Sequence, residues 1–266
     1  MQKRTFTDQM GRVISLNYPP KRIISLVPSQ TEFLFDLGLD EEVIGITKFC
    51  IHPNDKFKSK TKVGGTKKLN LEKIRSLNPD LIIGNKEENE QSQMEELMNE
   101  FPVWMSDILV LEDSVEMIKQ VGILTGHAEE AELIASTIIN SFADLQSVSA
   151  DNLKTAYFIW KDPYMLAGKN TFIDNILAKA GFANSLTMNR YPVVSLEQLE
   201  ELGPEVIFLS SEPYPFKDEH AQEMKSKFPN SKVLIVDGEL FSWYGSRLLH
   251  TPDYLRSLIK QVNCHS

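Results

Sequence analysis

The chain of 266 residues holds only two cysteines, Cys50 and Cys264. Two cannot form a disulfide framework, and they say little about compartment. No run of about 18 apolar residues occurs, so no helix is expected to cross a membrane. Positive charge is also short: 28 basic residues against 37 acidic ones give a net charge of −9. That balance argues against nucleic-acid binding, which needs basic patches on phosphate. It leaves room for an acidic surface that docks on a basic partner. No G-x-S-x-G, H-E-x-x-H, Walker A or G-x-G-x-x-G pattern appears, so the chain reads as a non-enzyme. The opening stretch, MQKRTFTDQMGRVISLNYPPKR, carries charge but no apolar signal-peptide core. Taken as the true start, it predicts a cytoplasmic location. What remains is ordinary for a globular protein: 42% hydrophobic and 24% charged residues.

The most informative stretch occurs twice. Residues 71–84 read LEKIRSLNPDLIIG and residues 196–209 read LEQLEELGPEVIFL, at a constant offset of 125. Leu71, Glu72, Leu77, Pro79 and Ile82 recur as Leu196, Glu197, Leu202, Pro204 and Ile207, and acidic Asp80 recurs as Glu205. In each copy apolar residues at i, i+3 and i+6 share one helical face. A proline then stops the helix, and a short apolar run follows that reads as a strand buried on both faces. Two copies of a helix–strand plan predict two domains of common size.

The chain in order supports this. Phe6 to Leu16 reads as a hairpin around Asp8–Gly11. RIISLV (22–27) and EVIGIT (42–47) read as strands, with Ser29 as an N-cap, Glu32 completing its capping box and Gly38 ending the helix between them. Residues 48–69 read as loop, 87–100 as a polar helix and 103–105 as a strand carrying a core Trp104. From Ser114 to Val148 the periodicity is helical, broken only near Gly122 and Thr125–His127, with Glu129–Leu145 a long connecting helix. TAYFIW, DNILAKAG, a polar helix at 217–228, VLIV and a C-terminal helix at 252–262 then restate the first half. The expected architecture is α/β, with mostly parallel sheets in two Rossmann-like lobes joined by one long rigid helix. The expected boundaries are residues 1–113, a helical connector at 114–150, and residues 151–266.

Ligands of open α/β sheets sit beyond the carboxyl ends of the strands. Those loops here carry Pro28-Ser29-Gln30-Thr31, Lys48-Phe49-Cys50-Ile51-His52-Pro53, Trp160 onward, and Asp237 through Phe241, Trp243 and Arg247. Ser29 reads equally as a ligand contact or an ordinary cap. Cys50 and His52 lie close together, but a zinc site needs at least three ligands and no third is identifiable, so no protein metal site is expected. A zinc or manganese receptor would need three converging ligands. His52 reads either as one contact to a bound metal complex or as part of a structural turn. Trp160 and Trp243 on exposed loops suit a large, flat, partly apolar ligand, or packing between lobes.

RIISLVPSQTEFLFDLGL, VIGITKFCIHP and VGGTKKLNLEKIRSLNPDLIIG together resemble the substrate-binding proteins of ABC importers for iron–siderophore, haem and cobalamin, the helical-backbone class III periplasmic binding proteins. The likeness spans roughly residues 8–262 and is greatest to the cobalamin branch. It implies a ligand held between two α/β lobes, with cobalamin or an iron complex as cargo, no intrinsic cofactor, and ABC permease subunits as partners of a monomer. It also implies a periplasmic or cell-surface location. Carried over by motif, it assigns ligand contacts to Ser29, Gln30, Phe49, Cys50, Thr66, Trp160, Tyr191, Phe241, Trp243 and Arg247, with His52 able to reach a haem iron. It assigns transporter docking to Glu72 and Glu197. Thr66 stands where cobalamin binders can have an aromatic, and FSWYGSR departs from that branch. A ferric siderophore or haem is therefore the alternative ligand, although a siderophore asks for more basic residues than these loops suggest. A second alternative is a cytoplasmic cofactor-handling protein or enzyme on the same fold.

Overall fold

The computed structural model describes residues 2–145 and 149–264. They fall into two compact units. The first comprises Met1–Ile108, Glu112–Ile138 and Tyr244–Arg247; the second comprises Leu109–Leu111, Ile139–Trp243 and Leu248–Ser266.

The first unit opens with a hairpin of β1 (Gln2–Thr7) and β2 (Val13–Tyr18), paired antiparallel from Gln2↔Tyr18 to Thr7↔Val13. Asp8 holds the turn, its carboxylate accepting from the Met10 and Arg12 amides at 3.0 and 2.8 Å. There follow β3 (Ile23–Ser25), α1 (Pro28–Asp36), β4 (Val43–Ile46), α2 (Asn54–Ser59), β5 (Thr61–Lys62), α3 (Leu71–Leu77), β6 (Leu81–Asn85), α4 (Gln91–Met98) and β7 (Val103–Ser106). Strands β3 to β7 form one parallel sheet in the order β5-β4-β3-β6-β7. Ile24, Leu26, Ile74, Ile82, Leu97 and Val103 fill the core on one of its faces. Trp104 is buried, as its place in a strand predicts.

Two details differ from the sequence expectation. Val27 is the N-cap of α1, Pro28 opens the helix and Ser29 lies within its first turn, because proline's fixed φ and missing N–H suit the first helical position. Residues 48–69, expected as loop, contain α2 and the edge strand β5.

The helical stretch after β7 is two helices, α5 (Leu111–Thr125) and α6 (Ala128–Leu145). The break falls at Gly126, whose φ of +86° belongs to the left-handed region. Gly122 remains inside α5, where an added Cβ would come within 2.2 Å of the Ala131 Cβ on α6. Helix α6 starts in the first unit and ends in the second. The expected connector's residues 146–148 lie outside the described residues.

The second unit contains β8 (Lys154–Trp160), β9 (Met165–Leu166), α7 (Phe172–Lys179), β10 (Ala183–Asn184), α8 (Leu196–Leu202), β11 (Val206–Ser210), α9 (Asp218–Lys227), β12 (Lys232–Val236), α10 (Glu239–Ser242), a 3-10 turn at Ser246–Leu249 and α11 (Thr251–Asn263). Its sheet is parallel in the order β10-β8-β11-β12, with β9 antiparallel on β8. Ala156, Phe158, Leu199, Ile207, Leu209 and Val233 belong to its core.

The repeat is visible atom by atom. Asn70 and Ser195, 125 apart, are the N-caps of α3 and α8, accepting from the Lys73 and Gln198 amides at 2.9 and 3.2 Å. Asn78 and Gly203, also 125 apart, end those helices in the left-handed conformation at φ 44° and 57°. Asp80 accepts from the Lys21 and Arg22 amides at 2.8 Å, and Glu205 from the Lys154 amide at 2.9 Å. Each acid thus anchors the chain entering the neighbouring central strand.

Candidate functional site

In the first unit, the loop after β5 is built to hold its shape. Gly64 has a φ of +109°, and a Cβ there would meet the Lys68 carbonyl at 2.6 Å and the Asn70 amide at 2.9 Å. Gly65 and Lys68 exchange backbone hydrogen bonds of 2.8 and 3.2 Å, closing a tight turn over Thr66 and Lys67. Asn89 donates to the Thr66 carbonyl at 3.1 Å and Gln93 to the Lys67 carbonyl at 3.0 Å, while the Gln93 amide oxygen accepts from the Leu69 amide at 2.7 Å. The turn is therefore clamped at three backbone positions, Thr66, Lys67 and Leu69. Phe49, half exposed at 49%, lies over Gly65, where a Cβ would approach its ring at 3.1 Å. A cavity of about 850 Å³ opens here, lined by Lys48, Phe49, Thr66, Lys67, Lys68 and Glu72, among others. Three lysines, Lys48, Lys67 and Lys68, line this cavity.

The other contacts predicted in this unit are buried or half-buried. Cys50 is fully buried, its Sγ 3.1 Å from both the Thr31 and Thr47 hydroxyls, and burial pushes its thiol pKa up. Ser29 and Gln30 are buried, and the Gln30 amide donates to the Ser106 hydroxyl at 2.5 Å. His52 is half-buried. Arg247 donates to both oxygens of Glu32, at 2.9 and 2.7 Å, in a two-pronged ion pair. Burial nevertheless raises the Glu32 pKa, against the pull of Arg247. The fold thus makes Glu32 the partner of Arg247, not the capping-box partner of Ser29 that the sequence suggested.

In the second unit, Trp160 ends β8 and is 41% exposed, its ring edge-on to Tyr214 at 5.7 Å. Tyr191 is half-buried with the Arg190 guanidinium 5.5 Å from its ring centre. Phe241 and Trp243 are not the exposed loop aromatics the sequence suggested. Short helix α10 turns Phe241 into the core against Tyr157 and Phe208. Trp243 is buried, and its indole N–H donates to Glu212 at 2.9 Å, as does the Ser242 hydroxyl. Burial raises the Glu212 pKa, and Glu239 and Asp237 add to the rise.

Glu72 and Glu197 are both exposed in the first turns of α3 and α8, at equivalent positions of the two units. A hydrogen bond with Ser195 lowers the Glu197 pKa. Among the described residues no three His, Cys, Asp or Glu side chains converge as metal ligands, and no helix is long and apolar enough to cross a membrane.

Sequence reasoning did not single out Lys67, Lys68, Asn89, Gln93 or Glu212, placed Lys48 only within a strand-end loop, and read Glu32 as a capping residue. The Gly64-Gly65 pair and the Lys67-Lys68 pair flanking Thr66 were the available signal for the two lysines of that turn. Nothing local marks the remainder, whose partners lie far away in sequence.

Two α/β units, each built on a parallel sheet and repeating one helix–strand plan, define a class of two-lobed binding protein. Residues 23–233 match the periplasmic binding protein family, and the chain belongs to it. It is similar to the vitamin B12-binding protein of Pectobacterium atrosepticum, at 27% identity over 91% of this chain and 90% of that protein. In fold it resembles the periplasmic vitamin B12-binding protein of Vibrio cholerae, with a TM-score of 0.79, 21% identity and coverage of 93% of this chain and 99% of that one. It also resembles the periplasmic haem-binding protein of Roseiflexus sp. RS-1, with a TM-score of 0.78, 21% identity and coverage of 91% and 97%. It is a substrate-binding protein, not an enzyme.

Proposed function

We propose that this chain is the substrate-binding protein of an ABC importer, capturing cobalamin or a related metal complex outside the cytoplasmic membrane and delivering it, as a monomer, to the permease. Family membership is the observation that carries this reading. The ligand-facing groups are those the strand-end loops present to solvent: Phe49, Thr66 and the lysines beside them in the first unit, and Trp160 with Tyr191 in the second. Rings and half-buried polar groups of this kind suit a large, partly apolar ligand. Glu72 and Glu197 are the docking carboxylates. The alternative cargo within the same role is haem or a ferric siderophore.

The test is a titration with cyanocobalamin, haem and a ferric tris-catecholate, following tryptophan fluorescence. Trp160 is the exposed reporter, so Trp160→Phe removes most of the signal while calorimetric binding persists. Saturable binding of one complex at micromolar concentration or below is expected. Failure of all three to bind overturns the reading.

A further inference from the structure

We propose that His220 is an acid-sensitive latch in the second unit: protonation of its ring releases the loop that supports Trp160 and so weakens ligand capture at mildly acidic pH. The effect on affinity rests on the ligand-capture role proposed above, whereas the latch itself does not.

Helix α9 begins at Asp218, and its N-cap is Lys217. A lysine side chain has no acceptor to offer the amides of the first turn. The bond is made in the other direction: Nδ1 of His220, at the third helical position, accepts from the Lys217 amide at 2.9 Å. A ring nitrogen that accepts an amide proton carries none of its own. The imidazole is therefore neutral, with its proton on Nε2, which lies 3.3 Å from the Tyr214 hydroxyl. In α8 the same task falls to Gln198, whose side-chain oxygen accepts from the Ser195 amide at 2.9 Å. Helix α8 thus uses a residue that cannot titrate, and α9 uses one that can.

The His220 side chain is only 12% exposed. It packs edge-on against Tyr214 and Phe216, with 5.5 Å between ring centres in each pair. Those two rings lie 4.7 Å apart and carry the contact onward. Phe216 meets Phe158 in the core at 6.3 Å, and Tyr214 meets the exposed Trp160 at 5.7 Å. The Tyr214 amide also donates to the carbonyl of Ile159, the neighbour of Trp160, at 3.3 Å. One imidazole therefore fixes both the start of α9 and the loop on which Trp160 leans.

An imidazolium has no lone pair left to accept with. The Lys217 amide and the new Nδ1–H would be two donors facing each other. The positive end of the α9 dipole opposes the added charge as well. Asp218 and Glu219 in the first turn favour it, with Glu219 3.8 Å from Nε2, but the Glu219 side chain is 75% exposed and screened by water. Neither acid restores the acceptor that the proton consumes. One turn on, Glu223 is already engaged by Lys161 and Lys227, at 2.8 and 2.7 Å, and by the Tyr164 hydroxyl at 3.3 Å. In the loop, Tyr214 is the titratable group touching the ring, and Glu212 is committed to Ser242 and Trp243.

The experiment follows tryptophan emission of the ligand-free protein from about pH 8 to about pH 5, the interval in which imidazoles ordinarily titrate. Wild type, His220→Gln and His220→Ala are compared. The part of the signal missing from Trp160→Phe belongs to Trp160 and is thereby separated from Trp104 and Trp243. Glutamine keeps the acceptor, as Gln198 does in α8, but takes up no proton. Calorimetric affinities for cyanocobalamin, haem and a ferric tris-catecholate are measured at both ends of the interval. Comparison with the glutamine variant cancels the acid–base chemistry of these probes. Far-UV circular dichroism at each pH is the folding control. Wild type should show a reversible change in Trp160 emission on acidification. It should also lose about three- to ten-fold in affinity for the probe that binds, the scale of one lost helix cap. His220→Gln should match wild type near neutrality and hold both signal and affinity in acid, while His220→Ala should show the acid form throughout. Equal pH profiles in wild type and His220→Gln overturn the latch, as does Trp160 emission that stays flat. A Trp160 transition without loss of affinity overturns its effect on capture. A transition with no binding of any probe keeps the latch and overturns the ligand-capture role.

Discussion

Single residues show where this fold tolerates little change. Gly64 is confined both by its positive φ and by backbone atoms closer than 3 Å to any added Cβ. Gly64→Ala should cost about 1–3 kcal/mol in denaturant unfolding, because strain and collision act together. It should also weaken ligand binding, since it disturbs the clamped turn directly. Glu212 offers a different test. Its folded-state pKa is raised above the ordinary 4.5 by burial, so the native state holds its proton longer than the unfolded chain does. The associated stability is present below about pH 4.5 and is lost as pH rises through the raised value. Glu212→Gln should therefore flatten the fall in stability between that pH and neutrality. It should also abolish any titration of Trp243 fluorescence in the same window, because that indole N–H donates to the carboxylate. A Trp243 titration that persists in the variant would assign the signal to another group.

At the scale of elements, the two copies predict matched energetics. Asn70 and Ser195 cap α3 and α8 with the same bond to the third helical amide, and Ser195 adds the reciprocal bond from its own amide to Gln198. Replacing either by alanine should cost about 1 kcal/mol. The double variant should lose the sum, since the caps lie in different units without shared partners; thermal or chemical unfolding measures each. These helices and strands were legible from sequence because apolar periodicity, caps and stops act locally. The internal repeat then fixed their pairing into two α/β units. The sites were legible only in part. Phe241 and Trp243 read as loop aromatics because nothing in FSWYGSR announces that α10 turns one ring into the core and ties the other to Glu212. Arg247 meets Glu32 across 215 positions of sequence, beyond the reach of any local pattern. The cap expected at Ser29 lies two residues earlier, at Val27, because Pro28 takes the first helical position.

For the whole molecule, the decisive quantity is how charge divides between two tasks. The chain carries a net charge of −9, yet its segment from Lys48 to Lys73 holds eight lysines against two acids. On the proposed reading the two tasks meet at Glu72, which lines the lysine cavity and stands at the helix position equivalent to Glu197. Charge reversal of each glutamate separates them. Glu197 is exposed and does not line the lysine cavity, so Glu197→Lys should leave ligand affinity unchanged and weaken permease binding. Glu72→Lys should weaken permease binding too, but it replaces the cavity's only lining carboxylate with a further cation. It should therefore leave cyanocobalamin affinity unchanged and tighten an anionic complex, the gain shrinking at high salt. The double variant should lose most of its salt-dependent association with permease reconstituted in nanodiscs, because both proposed docking carboxylates would then carry the opposite charge. Permease binding that survives the double reversal would remove both glutamates from the docking surface, while a ligand preference shifted by Glu72→Lys alone would still tie that residue to the cavity.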